Sequence, residues 1–134
     1  MVRESNIMNN TELKKEIITN FNLVKYDFMG YHLNKKPTYH HIIKKCNGGK
    51  TNFENGAVIN SLNHQYLHII EYHEYYMYKF INELFKTMHK RGEILESDYR
   101  LISDILHEFE KKHSEDTNSK GKLLIRKELL DRDF

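Results

Sequence analysis

The chain has 134 residues, which is enough for one domain with a modest hydrophobic core. Aromatic residues make up 12% of it, and this share argues against a disordered chain. The net charge is only +2, and no segment approaches the run of about 18 apolar residues that a membrane helix needs, so we expect no membrane partner.

A single cysteine, Cys46, cannot form an intramolecular disulfide, which fits a reducing compartment. Residues 1–16 lack the apolar stretch of a secretory signal, so we expect a cytoplasmic protein. The composition is rich in Asn, Lys and Ile and poor in Pro, which is typical of AT-rich bacterial or phage genomes.

The first predicted element is an amphipathic helix over residues 11–25, because apolar residues recur there at helical spacing: Leu13, Ile17, Ile18, Phe21 and Val24. Gly30 then indicates a turn. Residues 38–43 follow Pro37 and are rich in β-formers, so they predict a short strand. A loop over residues 44–54 contains an Asn-Gly-Gly turn and leads to a return strand at residues 56–59.

A long helix is predicted from a cap at Ser61 to near Gly92, with a bend allowed, because apolar residues recur every three or four positions. Ser97 is the predicted cap of a further helix whose buried stripe is Leu101, Ile102, Ile105, Leu106 and Phe109. The tyrosine-rich run at residues 72–78 is interpreted as core and boundary packing.

The predicted fold class is therefore α+β and mostly helical, with a ββα element between an N-terminal helix and C-terminal helices. One domain spans residues 1–134. It comprises a motif core at 39–71, a helical part at 72–113, and a polar linker with a short helical tail at 114–134. The tail segment 123–130 is either a contact for another protein or a helix packed on its own domain.

Charge is unevenly distributed along the chain. Residues 1–60 hold nine basic and five acidic residues, for +4, whereas residues 61–134 hold twelve and fourteen, for −2. Between Phe28 and Phe53 there is no acid but there are five lysines: Lys35, Lys36, Lys44, Lys45 and Lys50. Such a local field attracts phosphate. On charge alone, a solvated lysine-rich loop is the favoured interpretation.

Nine histidines make accidental pairs common, so neither His40-His41 nor His64 with His68 is a signal by itself. Together they are more specific. His64 and His68 lie one helical turn apart, so both imidazoles can face one ion. A hairpin directly before that helix can bring His40 or His41 against its first turns. Three imidazoles with an open position are typical of a catalytic rather than a structural metal site.

His40 and His41 cannot share one role, because neighbours on a strand point to opposite faces. One of them should bind the ion and the other should face the substrate. A neutral imidazole is a suitable general base near pH 7.

The segment TYHHIIKKCNGGKTNFENGAVINSLNHQYLH resembles the HNH, or ββα-metal, nuclease family. It is most similar to the variant with a doubled histidine and HxxxH, as in colicin-type bacterial DNases. The resemblance covers residues 39–71 and consists of the His-His pair, the Gly-Gly loop, Asn-Gly before an apolar strand, and HxxxH nine residues after that Asn.

The resemblance implies a role for each residue of the motif. His40 matches the first metal ligand, and His64 and His68 match the two helix ligands. His41 matches the general base that activates water. Asn55 matches the Asn that braces the loop and helps to hold the base, although Asn-Gly is also a common structural turn.

The implied activity is that of a metal-dependent endonuclease acting on nucleic acid, with DNA as the expected partner, and leaving a 5′-phosphate. The implied cofactor is one divalent ion, Zn²⁺, Ni²⁺, Mn²⁺ or Mg²⁺, and imidazole ligands favour the transition ions over Mg²⁺. Lys44, Lys45 and Lys50 are the expected phosphate contacts. Glu54 and Glu71 flank the motif; either could orient a ligand imidazole, but ordinary surface carboxylates are favoured.

The chain departs from many family members because one cysteine cannot build their structural zinc site. The C-terminal helices should support the small motif instead. Two other functions stay open at this stage. One is a non-catalytic metal-binding module whose C-terminal helices dock a larger nucleic-acid-processing protein. The other is a helical interaction protein without metal.

Overall fold

The computed structural model describes residues 9–33 and 36–113. The predicted linker and tail at 114–134, and Lys35, lie outside the described residues. Within this part, helices surround a two-stranded antiparallel sheet, so the predicted α+β, mostly helical class is confirmed. None of its helices is long and apolar enough to cross a membrane. The elements in chain order are α1 (Asn10–Asn20), β1 (Thr38–His41), β2 (Gly56–Ile59), α2 (Ser61–His73), α3 (Tyr75–Arg91) and α4 (Glu96–Lys112).

Helix α1 is shorter than predicted. It begins with a capping box between Asn9 and Glu12 and buries Leu13 and Ile17. It ends at Asn20, and Asn22 takes a positive φ of 53° that a continuing helix does not allow. Val24 is consequently 88% exposed, so its predicted place on the buried stripe is wrong.

The hairpin has a short register that runs from Thr38 opposite Ile59 to His41 opposite Gly56. Strand β1 is two residues shorter than predicted, because the Ile43 N–H donates to the Asn55 side chain (2.8 Å) rather than to the ladder. All four residues of β2 are buried, since α1 packs on this strand. Helix α2 packs against β1, which sets the hairpin directly beside it.

The predicted long helix is two helices that are broken at Glu74, whose φ of −142° and ψ of 77° lie outside the helical region. The Glu74 carboxylate is buried and accepts hydrogen bonds from Lys112 Nζ (3.1 Å) and His113 Nε2 (2.7 Å) at the end of α4. A contact across nearly 40 residues of chain thus overrides the local helical period. Phe80 of α3 is 50% exposed, although its position fits the three- to four-residue apolar spacing that predicted the long helix.

Both predicted N-caps are displaced. Asn60, not Ser61, caps α2 by accepting the Asn63 N–H at 2.7 Å. Helix α4 begins at Glu96 rather than after Ser97, and Asp98 accepts the Leu95 N–H at 2.7 Å. Two other buried-side predictions are also wrong: Leu101 is 43% exposed, and of the four tyrosines in the tyrosine-rich run only Tyr78 is buried, whereas Tyr72, Tyr75 and Tyr76 are exposed.

A buried carboxylate, Asp27, fixes the start of α2. Its Oδ1 accepts the N–H groups of Met29 (2.8 Å) and Tyr31 (3.0 Å). Its Oδ2 accepts the Asn60 N–H (2.9 Å) and the Asn63 side-chain amide (3.0 Å). Burial raises the pKa of Asp27 to about 6, although the four hydrogen bonds act in the opposite direction. The loop after α1 is thereby tied to the first turn of α2.

His89 of α3 gives the fold a pH dependence. Its ring lies among those of Phe21, Phe28 and Phe53, with centroids 5.0, 5.8 and 5.2 Å away, and its Nε2–H donates to the Gly56 carbonyl at 2.7 Å. Burial lowers the pKa of His89 below its usual value. The unfolded chain therefore binds a proton on His89 more readily than the folded state does, starting near pH 6.5. As the pH falls, this difference lowers the free energy of unfolding.

We expect His89→Gln, which keeps an N–H donor but cannot be protonated, to lose less unfolding free energy than the wild type between pH 7.5 and 5.5. Urea unfolding at the two pH values measures this difference. His107→Gln, on the exposed face of α4, is the matched control. Equal pH dependence in wild type and His89→Gln would contradict the prediction.

Candidate metal centre

Three imidazoles converge where β1 meets α2. His40 comes from β1, and His64 and His68 come from the first turns of α2. One nitrogen from each ring can be chosen so that all three lie within 4.8 Å of one another. Only Asn60 separates β2 from α2, so the hairpin is held against the start of the helix.

The spacing fits a metal ion. Two nitrogens that each lie about 2.0–2.1 Å from one tetrahedral ion stand about 3.4 Å apart. His40 Nδ1 and His64 Nε2 are 3.4 Å apart. The His68 ring lies beside both, with centroids 5.9 Å from that of His40 and 4.9 Å from that of His64. One His68 nitrogen lies within 4.8 Å of a nitrogen of each of the other two rings, and the His68 side chain is 47% exposed.

The electrostatics keep these rings neutral and able to donate lone pairs. Burial, assisted by the neighbouring imidazoles, lowers the pKa of His40 to about 3 and that of His64 to about 4. Metal binding requires neutral imidazole, so neither ring has to lose a proton near pH 7.

Two of the three rings have their other nitrogen engaged. His40 Nε2 lies 2.8 Å from Asn82 Oδ1, and His68 Nδ1 lies 2.8 Å from Glu71 Oε1. Glu71 also forms an ion pair with Lys44 and has a side-chain exposure of 17%. The favoured interpretation of Glu71 as an ordinary surface carboxylate is therefore wrong.

His41 lies beside the three rings but is not one of them. Along β1 it shares a face with Tyr39, whose ring centroid is 4.9 Å away, while His40 points to the opposite face. His41 Nε2 lies 2.8 Å from Thr51 Oγ1. Burial and the charge of Lys45 lower the pKa of His41.

An open cavity of about 400 Å³ joins the four histidines. This cavity is large enough for a phosphate group and the sugar next to it. Besides His40, His41, His64 and His68, it is lined by Tyr39, Lys44, Lys45, Cys46 and Tyr78.

Asn55 braces both ends of the loop that follows β1. Its Oδ1 accepts the Ile43 N–H (2.8 Å), and its Nδ2 donates to the carbonyls of Ile43 (3.0 Å) and Lys50 (2.8 Å). Its own carbonyl accepts the Ile42 N–H at 2.9 Å, directly after His41. Gly49 is required within this loop, because a Cβ there would lie 1.8 Å from the Ile43 carbonyl oxygen. Asn55 thus acts on His41 through the backbone.

The three predicted phosphate-binding lysines are not equivalent. Lys44 and Lys45 line the cavity, whereas Lys50 is exposed and does not line it. The charge of Lys44 is compensated by Glu71. Lys45 forms no ion pair within residues 9–33 and 36–113, so it is the better candidate for a phosphate contact. Glu54 is exposed.

Sequence reasoning missed Thr51, Tyr78 and Asn82 at this site. Asn82 had one signal in the sequence: it occupies the buried stripe of α3 between Tyr78 and Phe85, where a polar residue needs a partner. That the partner is His40, 42 positions earlier, is not visible in any local pattern.

Comparison of the chain with models of protein families, with curated proteins and with solved structures finds no match. The fold and the site define the chain as an α+β domain with a three-histidine cluster in an open cavity. The resemblance to HNH nucleases stays a prediction.

Proposed function

We propose that the chain is a metal-dependent endonuclease that hydrolyses phosphodiester bonds of nucleic acid, with DNA as the expected substrate. The observation that supports this most is the convergence of His40, His64 and His68 with His41 beside them in one open cavity. Three imidazoles and an open position are the ligand pattern of catalytic metal sites.

One divalent ion fits the three donors, and an all-imidazole set favours Zn²⁺ or Ni²⁺ over Mg²⁺. When bound, the ion supplies Lewis acidity to a phosphate oxygen and to the departing oxygen. His40, which is buried and neutral, and the two helix histidines would hold the ion, and all three line the cavity.

His41 is the general base of the proposed reaction. When His41 Nε2–H donates a hydrogen bond to Thr51 Oγ1, the lone pair of the ring is on Nδ1. Nδ1 can then take a proton from water. The water oxygen then bonds to phosphorus as the bond from phosphorus to the 3′-oxygen breaks. The 3′-oxygen takes a proton from solvent, so the products are a 5′-phosphate and a 3′-hydroxyl. Lys45 offers a counter-charge for the phosphate.

A second function, a metal-binding module that docks a larger protein, is favoured by one observation. Aromatic side chains are exposed together where α2 meets α3: Tyr72 (85%), Tyr75 (53%), Tyr76 (61%) and Phe80 (50%). Clustered exposed aromatics are common in protein interfaces.

The test combines metal titration with plasmid nicking. We expect calorimetry to detect binding of one Zn²⁺ or Ni²⁺ by the wild type, and little binding by His64→Ala. His107→Ala, whose imidazole is exposed on α4, should bind like the wild type. Supercoiled plasmid should be nicked only with a divalent ion, and a chelator should stop the reaction.

Two outcomes would overturn the nuclease. Tight metal binding without nicking by any of Zn²⁺, Ni²⁺, Mn²⁺ and Mg²⁺ would leave the docking module. No metal binding by the wild type would leave a helical interaction protein.

A further inference from the structure

We propose that Asn82 is a positioning residue of the metal centre, which fixes His40 as a ligand through Nδ1. This inference rests on the proposed metal site and specifies which atoms form it. Asn82 is 5% exposed and lies on α3, outside the hairpin and the helix that carry the histidines.

The orientation of the Asn82 amide is set by its second contact. Its Nδ2 donates to the Tyr78 carbonyl oxygen at 2.9 Å, and a carbonyl can only accept. Oδ1 must therefore be the atom 2.8 Å from His40 Nε2. This assignment follows from the hydrogen-bond network, as an amide orientation requires.

The tautomer of His40 follows from that orientation. Because Asn82 Oδ1 can only accept, His40 Nε2 must carry the proton. In a neutral imidazole the lone pair is then on Nδ1. Nδ1 is the atom that faces His64 Nε2 at 3.4 Å, so the amide directs the lone pair to the place where the ion would lie.

His68 is oriented in the opposite sense. Its Nδ1 is engaged by Glu71, which leaves Nε2 as the ligand atom. The predicted set is thus Nδ1 of His40 with Nε2 of His64 and His68. The two acceptors fit their surroundings. The exposed His68 ring contacts the Glu71 carboxylate, whose charge is paired with Lys44. The buried His40 ring contacts the neutral amide of Asn82, so no charge has to be desolvated there.

The experiment compares Asn82→Leu, which removes the acceptor at similar volume, with Asn82→Asp, which keeps an acceptor oxygen. Glu83→Leu is the matched control, since Glu83 is the next residue on the exposed side of α3. Two quantities are measured without nucleic acid at pH 7: the ¹⁵N spectrum of His40 in metal-free protein, and the affinity for Zn²⁺ or Ni²⁺.

We expect wild type and Asn82→Asp to show His40 protonated on Nε2. Affinity for the ion should fall by about 10- to 100-fold in Asn82→Leu, the usual effect of losing such a partner, but not in Glu83→Leu. Asn82→Asp should retain most of the wild-type affinity. A role in folding alone would lower stability without changing the tautomer or the affinity of the folded protein.

Either of two results would overturn the proposal: a wild-type His40 protonated on Nδ1, or a folded Asn82→Leu with unchanged affinity. If Asn82→Leu does not fold, two measurements still test the proposal. They are the ¹⁵N spectrum of His40 in the wild type, and the metal affinity of Asn82→Asp, which should stay close to that of the wild type. Metal binding with the expected tautomer but without nicking would refute the nuclease and leave the role of Asn82 supported.

Discussion

His41→Ala will lower the rate of metal-dependent plasmid nicking by about 10²- to 10⁴-fold and leave metal affinity within a few-fold of the wild type. His41 points away from the face of β1 that carries His40, so its removal takes no donor from the ion. It lines the same cavity as the three proposed ligands, so its removal takes away the group that would accept the proton of water.

The measurement is the initial nicking rate at saturating metal, with calorimetric titration of the same preparation. Thr51→Val is an informative companion, because it removes the contact to His41 Nε2 and leaves the imidazole in place. We expect a smaller loss from it than from His41→Ala. Nicking by His41→Ala at the wild-type rate would exclude His41 as the general base. Loss of metal binding by His41→Ala would instead indicate that His41 is a metal ligand.

The hairpin and the histidine cluster could be predicted because their signals are local. Strand β2 was predicted with its observed bounds, and the i,i+4 spacing of His64 and His68 directly places them on one helical face. The closeness of His40 to this pair followed from a short connection between hairpin and helix.

The residues that hold the site could not be predicted, because each depends on a distant part of the chain. Asn82 meets His40 across 42 residues, and Asp27 meets Asn60 and Asn63 across 33 and 36. The break at Glu74 similarly depends on α4. Hydrophobic periodicity carries no information about such polar pairings.

The long-range contacts divide the site into two parts. The hairpin and α2 supply the imidazoles, whereas α3 and the loop after α1 set where those imidazoles point. This arrangement means that the small hairpin-and-helix element is supported by contacts from α3 and from the loop after α1. It also means that a substitution far from the cavity can weaken the site by moving α2.

Asp27→Ala is the substitution for which we expect the largest loss of stability. Four N–H donors, from Met29, Tyr31, Asn60 and Asn63, end on this one buried carboxylate. Alanine leaves all four without their acceptor, and each unsatisfied buried donor costs about 1–3 kcal/mol. With partial relaxation and entry of water, we expect the free energy of unfolding at pH 7 to fall by about 3–5 kcal/mol.

The pH dependence of this loss has a definite sign. Burial raises the pKa of Asp27 to about 6, above the value of about 3.9 in an unfolded chain. The folded state therefore retains the proton more strongly, and this group's contribution to stability falls as the pH rises from about 4 to 6. Asp27→Ala lacks that slope, so its deficit should be larger at pH 4.5 than at pH 7.

Urea unfolding of wild type, Asp27→Ala and the control Asp104→Ala, at pH 7 and 4.5, tests both statements. Asp104 is exposed on α4, so its loss should change stability by less than about 0.5 kcal/mol. Equal stability of the two variants would show that Asp27 does not anchor α2. Metal binding that is weaker in folded Asp27→Ala, but not in Asp104→Ala, would show that Asp27 also helps to position His64 and His68. The helix start that Asp27 holds lies within one turn of His64.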